Sequence, residues 1–342
     1  MTVDGDRPRA FVHATVLLEE VVAAIAPHAG GLYADVTLGG AGHARALLEA
    51  GGEGAMLVGV DRDLTAISAA KTRLEDLGAR VRFVHSSFAD ATTPLLEAAA
   101  ALTGDVARRF DGVVADLGVS SPQLDDASRG MSFRRDASSG AIDMRMDTSR
   151  GATARELIAS LDEDKLANVI FELGEERHSR KIARSIKLAE TEGQLATTGD
   201  LRHAIHRATG GGRPGEIDPA TRTFQALRIA VNDELGELDR LLQALPSLLA
   251  EGGAVAIISF HSLEDRRVKQ AFRALADDAG WVLDSKKPIE ASDAELARNP
   301  RSRSAKLRVI RRPRVGERSL DRRERYEAKV AARRAARDRG DA

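Results

Sequence analysis

Four short stretches of this chain carry side chains suited to chemistry, and each follows an apolar run. The first, DVTLGGAGHA (Asp35 to Ala44), puts three glycines into four positions, and glycines after a strand let a ligand come close to the backbone. The second, VGVDRD, carries Asp61, a carboxylate that can accept hydrogen bonds from both hydroxyls of a ribose. The third, HSSFAD, offers Phe88 as a flat apolar face for a base, and the fourth, VVADLGVSSPQ, ends its apolar run on Asp116. Singly, each has a structural explanation: a tight turn, a strand-end acid, a core aromatic. Four suitable groups at four successive strand ends point instead to one nucleoside pocket.

The glycine stretch fails the two tests for a phosphate loop. A P-loop needs lysine and a hydroxyl directly after its last glycine, whereas Gly42 is followed by His43 and Ala44. A dinucleotide loop needs glycine or alanine in its sixth place, and counting from Gly40 that place is Arg45. What remains open is a mononucleotide-like pocket without a phosphate demand, or a plain turn from strand to helix.

The elements that must position these groups alternate. GLYADV, AMLVGVDRD, VRFVHSSF and DGVVADLGV read as strands; GHARALLEAG, LTAISAAKTRLEDLG and residues 89–103 read as the helices between them. Strand and helix repeating at this spacing predict an α/β fold, a parallel sheet covered on both faces, with ligands at the carboxyl ends of the strands. The rhythm breaks after Pro122. TARELIASL, DKLANVIFEL, SRKIARSIKLAE and TGDLRHAIHRAT read as short helices with no strand among them, and GGGRPGEIDP closes that region. A long amphipathic helix over about Thr221 to Leu249 leads back to three further strands, in LLAEGGAVAIISF, GWVLDS and SAKLRVIRR. The organisation expected is a sheet domain in two parts, residues 1–129 and 216–315, interrupted by an all-helical insertion at 130–215 and followed by a basic tail at 316–342.

Composition narrows the chemistry. Of 342 residues none is cysteine, which removes disulfides, thiolate metal sites and cysteine nucleophiles. No stretch approaches the roughly 18 apolar residues of a membrane span, and the start lacks a secretory pattern, so a cytoplasmic protein is expected. Net charge is −1, from 51 basic and 52 acidic residues, but it is unevenly spread. Arg298 to Arg314 holds eight basic residues and no acidic one, a run able to neutralise RNA phosphates.

In these residues the chain resembles the class I S-adenosylmethionine-dependent methyltransferases, whose Rossmann-like parallel sheet carries an antiparallel edge strand. More specifically it resembles the bacterial MraW-type (RsmH) enzymes, which methylate the exocyclic N4 of a cytidine in 16S ribosomal RNA. The resemblance runs from HATVLLEE at His13 to RSAKLRVIRR near Arg312. Its most specific stretches are DLGVSSPQLDDASRGMSF, DMRMD, GEER, TRTFQALRIAVNDEL and SFHSLEDRRVK. It implies S-adenosylmethionine as cofactor, with Ala41, Gly42 and His43 lining its methionine and ribose, Asp61 on the ribose and Phe88 beside the adenine. Asp116 and Gln123 would complete the pocket near the transferred methyl. The family usually has Gly-Gly-His in the loop; Ala41 departs from this and fits if its φ is negative. The implied partner is 16S rRNA or the assembled small ribosomal subunit.

Methylation at cytosine C5 normally proceeds through a cysteine thiolate, a route closed to this chain. An exocyclic amine needs no covalent intermediate, only acceptors that draw on its N–H bonds. Asp116, with the Ser120–Ser121–Pro122 turn, is the candidate acceptor; the alternative is that Asp116 contacts the cofactor alone. His261 reads as a structural histidine, and Glu175 to Arg177 and Thr221 to Phe224 as capping and ion pairing between insertion and sheet. No metal site is expected, Asp125, Asp126 and Asp143 reading as solvated carboxylates. For the RNA, Arg129, Arg134 and Arg135 are expected on one wall of the cleft and Arg298, Arg301 and Arg303 on the other.

Overall fold

The computed structural model describes residues 15–132, 139–211 and 218–316. The first part runs α1 (Leu18–Ile25), β1 (Leu32–Asp35), α2 (Gly42–Gly51), β2 (Met56–Asp61), α3 (Leu64–Arg73), β3 (Val81–His85), α4 (Thr92–Thr103) and β4 (Phe110–Asp116). After the short α5 (Ser121–Asp125) come α6 (Ala154–Ser160), α7 (Glu163–Gly174), α8 (Ser179–Thr191) and α9 (Thr198–Thr209). The chain returns through α10 (Ala220–Asn232) and α11 (Glu234–Leu248) to β5 (Leu249–Ser259) and α12 (Ser262–Asp278). It finishes with β6 (Val282–Leu283), β7 (Ile289–Glu290), α13 (Asp293–Arg298) and β8 (Lys306–Arg311).

One sheet has the order β3-β2-β1-β4-β5-β8-β6. The strands from β1 to β5 are parallel. β8 runs antiparallel to β5, and the two-residue strands β6 and β7 pair antiparallel along its outer side. The sheet is built outward from β1 in two directions, so the crevice between β1 and β4 is the topological switch point, where such sheets bind ligands. Asp35 and Asp116 end those two strands.

Alternate residues feed two apolar layers. Val58, Val60, Val113, Ala115, Val255 and Ile257 face one layer, and Leu57, Val114, Ala256 and Ile258 the other. Burial on both faces is why these strands read as continuous apolar runs rather than alternating ones. A third layer joins the insertion helices through Ile158, Leu166, Ile170, Ile182, Ile186, Leu201 and Ile205. Ala220, Phe224 and Leu227 of α10 belong to that layer too, although α10 lies beyond residue 215. Capping boxes at Thr153 with Glu156, and at Thr197 with Asp200, start α6 and α9.

The single long helix expected over Thr221 to Leu249 is two helices. Asp233, at φ 49°, is left-handed and ends α10 while starting α11. The Asn232 side chain fixes the break: its Nδ2 donates to the Met144 carbonyl at 2.7 Å, and its Oδ1 accepts from Met146 N at 2.8 Å. No glycine or proline marks the position, and both halves are amphipathic, so the pattern reads through it. Among the described residues no helix is long and apolar enough to cross a membrane.

Candidate active site

Asp35 is 1% exposed; its Oδ1 accepts from Thr37 N at 3.2 Å, and Thr37 Oγ1 accepts from Asp116 N at 2.6 Å. Burial, reinforced by the charge of Asp61, pushes the Asp35 carboxyl up to about 7. Burial, with Asp35 and Glu264 nearby, pushes Asp116 up to about 8. Neither acid makes an ion pair with lysine or arginine among the described residues, and Asp116 Oδ1 is buried without a hydrogen-bond partner. A buried acceptor without a donor costs about 1–3 kcal/mol. The crevice therefore holds a buried acceptor open to a donor from a ligand.

The loop between β1 and α2 supplies the rest of the floor. Asp61 is held at the end of β2 by two backbone donors, Gly39 N on Oδ2 and Asp63 N on Oδ1, each at 2.8 Å. Burial pushes its carboxyl above the usual range, although these backbone bonds lower it. Ala41 is the N-cap of α2 with φ 57°, so the negative φ expected for an alanine is not met. Its N–H closes the turn onto the Leu38 carbonyl at 2.7 Å, and the left-handed backbone costs an alanine roughly 1–2 kcal/mol. A glycine in that place is free of this strain. Gly42 is required for a different reason: a Cβ there would lie 1.9 Å from Thr15 Oγ1.

His43 turns its ring inward. It is 4% exposed, its Nε2 donates to the Val16 carbonyl at 3.0 Å, and burial pushes its pKa down to about 4. The neutral ring presents its Nδ1 lone pair to Asp116 Oδ2 at 3.9 Å, too far for a hydrogen bond. Phe88 stands half-buried just past β3, packed on the sheet layer. Gln123 is buried with its amide largely engaged: Oε1 accepts from Ser120 N in the capping box of α5, and Nε2 donates to Asp63 Oδ2 at 2.9 Å.

Asp63 is a residue that sequence reasoning passed over. Its Oδ2 also accepts from Arg129 Nη1 at 2.8 Å, and Arg129 Nη2 donates to the Met146 carbonyl at 2.6 Å. Arg129 is thus a buried tie between α3 and the segment entering the insertion, and its expected place on an RNA-facing wall is not met. Arg134 and Arg135 lie outside the described residues. Beside this tie, Arg62 pairs with Glu237 at 2.9 Å.

The rim beyond β5 is also polar. His261 caps α12, and Glu264 Oε2 accepts from Phe260 N at 2.9 Å. Despite burial, His261 and that backbone bond hold the Glu264 carboxyl below its usual range. Its charge faces Asp116. Glu234, His261 and Glu264 lie close enough together for a cation, with ligand atoms within 4.8 Å of one another. Glu234, however, is already clasped by Arg228 through bonds of 2.8 and 2.9 Å. Arg228 and Phe260 flank Gly118, where a Cβ would meet them at 4.0 and 3.8 Å. Glu175, at the end of α7, accepts from Ser262 Oγ and pairs with Arg266 Nη2 at 3.0 Å, the bridge from insertion to sheet expected of GEER. Asp143 and Asp125 are not merely solvated: they pair with Arg145 at 2.8 Å and Arg301 at 2.7 Å.

The C-terminal basic run is largely spent within the protein. Besides Arg301, Arg308 pairs with Asp265 at 2.7 Å, Arg311 with Asp284 at 3.1 Å and Arg298 with Glu295 at 3.6 Å. Arg312 donates to the Pro246 and Leu249 carbonyls. The run reads as RNA-binding in one dimension because most of its acidic partners, Asp125, Asp265 and Asp284, are distant in sequence.

A switch-point crevice with a carboxylate held at the end of β2, an aromatic just past β3 and two buried acids that no lysine or arginine pairs with among the described residues fits a class I S-adenosylmethionine-dependent methyltransferase. The chain belongs to the MraW methylase family, whose model matches residues 10–313. It is 52% identical over 306 residues to the ribosomal RNA small subunit methyltransferase H of Sorangium cellulosum, covering 90% of this chain and 92% of that protein. It is 47% identical over 313 residues to the protein of the same name from Synechococcus elongatus, covering 91% and 98%. Among solved structures, an rRNA methylase from Streptococcus thermophilus superposes with a TM-score of 0.35 at 10% identity, covering 90% of this chain and 98% of that one.

Proposed function

We propose that this enzyme methylates the exocyclic N4 of a cytidine in 16S ribosomal RNA. The names of its relatives support a small-subunit RNA substrate, and the absence of cysteine supports an amine over a ring carbon. S-adenosylmethionine, when bound, supplies an electrophilic methyl group on a sulfonium. Asp61 orients the ribose and Phe88 borders the adenine. The backbone at Ala41, Gly42 and His43 lets the methionine portion approach closely, and Gln123 holds α5 against the pocket. Asp116 accepts a hydrogen bond from the cytosine N4–H through Oδ1 and takes that proton as the nitrogen becomes tetrahedral.

The unpartnered Asp116 Oδ1 carries this reading: it is an acceptor at the catalytic rim lacking the donor that a substrate amine provides. The test is to incubate the protein with labelled S-adenosylmethionine and small subunits from a strain lacking the enzyme, and to map the labelled nucleoside. Label at N4 of one cytidine is expected; label elsewhere refutes the substrate. Asp116→Asn and Asp116→Ala then divide the roles of that residue. A lowered single-turnover rate with retained cofactor binding supports the proton acceptor, and lost binding with an unchanged chemical step removes it.

A further inference from the structure

The chain still needs a surface that grips the RNA around its target base, because the arginines expected to do so are largely paired internally. Among the described residues Arg303 stays exposed without an ion pair, but a larger group of such cations gathers elsewhere. α8 buries Ile182, Ala183, Ile186 and Ala189 and exposes Arg180, Lys181, Arg184 and Leu188. Arg177 stands exposed just ahead of it. Arg184 pairs with Glu163 at 3.1 Å, whereas among the described residues no ion pair joins Arg177, Arg180 or Lys181 to an acid. No acidic residue occurs in α8 before Glu190.

Two further observations give this stripe a direction and an energetic cost. Arg177 is two residues past Glu175, whose carboxylate touches Ser262, the first residue of α12, and Ser262 follows β5 at the catalytic rim. The α7–α8 corner is therefore fastened to the mouth of the crevice. Arg222 of α10 lies at the same corner, more than half exposed, donating to the Glu175 carbonyl at 3.2 Å and standing 3.9 Å from the Glu176 carboxylate. Arg180 and Lys181 also sit in the first turn of a helix, where the macrodipole disfavours cations. No acid among the described residues pairs with them to offset that placement; an anion lying across the stripe would.

We infer that Arg177, Arg180 and Lys181 form the docking surface for RNA phosphates flanking the target nucleotide. This inference deepens the rRNA reading given above and rests on it. From Arg177 to Arg184 the stripe is about 10 Å long, matching roughly three nucleotides of one strand. Backbone phosphates position a nucleic acid, while the pocket specifies the base.

The test compares the full chain with a variant carrying Arg177→Gln, Arg180→Gln and Lys181→Gln, and with a charge-matched variant carrying Arg298→Gln, Arg301→Gln and Arg303→Gln. Binding is measured from 50 to 300 mM salt, to small subunits and to a short single-stranded RNA oligomer. Each phosphate left without its cation lowers the salt slope by about 0.7, so the slope of the α8 variant is expected to fall by about two, with roughly 100-fold weaker binding at 0.1 M. Its S-adenosylmethionine affinity and kcat at saturating subunit stay unchanged, and the charge-matched variant shows the smaller loss. An unaltered slope in the α8 variant overturns the proposal, including when affinity falls, since that result would mean a protein contact. Oligomer binding that depends on the stripe without any methylation of subunits would leave the docking surface standing and reject the substrate.

Discussion

With Asp116 lining the cofactor pocket as proposed, its raised pKa predicts that cofactor binding releases a proton. Asp116 is pushed up to about 8 in the free protein, so at pH 5.5 to 7.5 it is mostly protonated. A sulfonium beside it favours the ionised form. Binding then expels a proton, and the apparent affinity falls tenfold, about 1.4 kcal/mol, for each pH unit below 8. From pH 7.5 to 5.5 this amounts to roughly 100-fold. The Asp116 side chain keeps 25% of its surface exposed, which lets solvent relieve part of the penalty, so 100-fold is the upper end and tenfold the lower. Titration calorimetry in two buffers of different ionisation enthalpy reads both affinity and protons released; working below pH 7.5 keeps the α-amino group of the cofactor charged. Asp35, raised to about 7, adds its own release, so the decisive quantity is the difference between the native chain and Asp116→Asn. S-adenosylhomocysteine, which has no sulfonium charge, should show no such slope. Equal slopes for native and Asn proteins, or for the two ligands, would refute the coupling.

The same shift acts on stability with a fixed sign. Because the folded-state pKa of Asp116 lies above its unfolded value, the native chain loses stability relative to Asp116→Asn as pH rises from about 4 toward 8, and urea unfolding at pH 5 and pH 8 should show the gap widening. Ala41→Gly relieves the left-handed alanine but frees the unfolded chain, leaving a net change between zero and about 1 kcal/mol of stabilisation. Gly42→Ala, by contrast, drives a methyl into Thr15 and lowers the melting temperature. Arg129→Ala strips a buried partner from Asp63, whose side chain is 8% exposed, and should cost about 3 kcal/mol in denaturant unfolding; a loss under 1 kcal/mol would show that Gln123 alone satisfies the acid.

The sequence by itself determined the parallel sheet, the helical interruption and the strand ends that carry Asp61, Phe88 and Asp116, because burial on both faces and the alternation of strand and helix are written locally. It also closed the thiolate route, through a composition that no folding can change. Asp35 stood in plain view at the end of β1, but only the switch point between β1 and β4 makes it a neighbour of Asp116. The break at Asp233, the inward turn of His43 and the positive φ of Ala41 were decided by contacts with Met144, Met146, Val16 and Leu38. Charge was the least legible property. Arg129 and most of the Arg298–Arg314 run look available along the chain but find acids or carbonyls brought to them by the fold, while Arg177, Arg180 and Lys181 meet no acid among the described residues. A residue's charge is fixed by its type; whether it is free to meet a partner depends on every other chain segment that packs beside it.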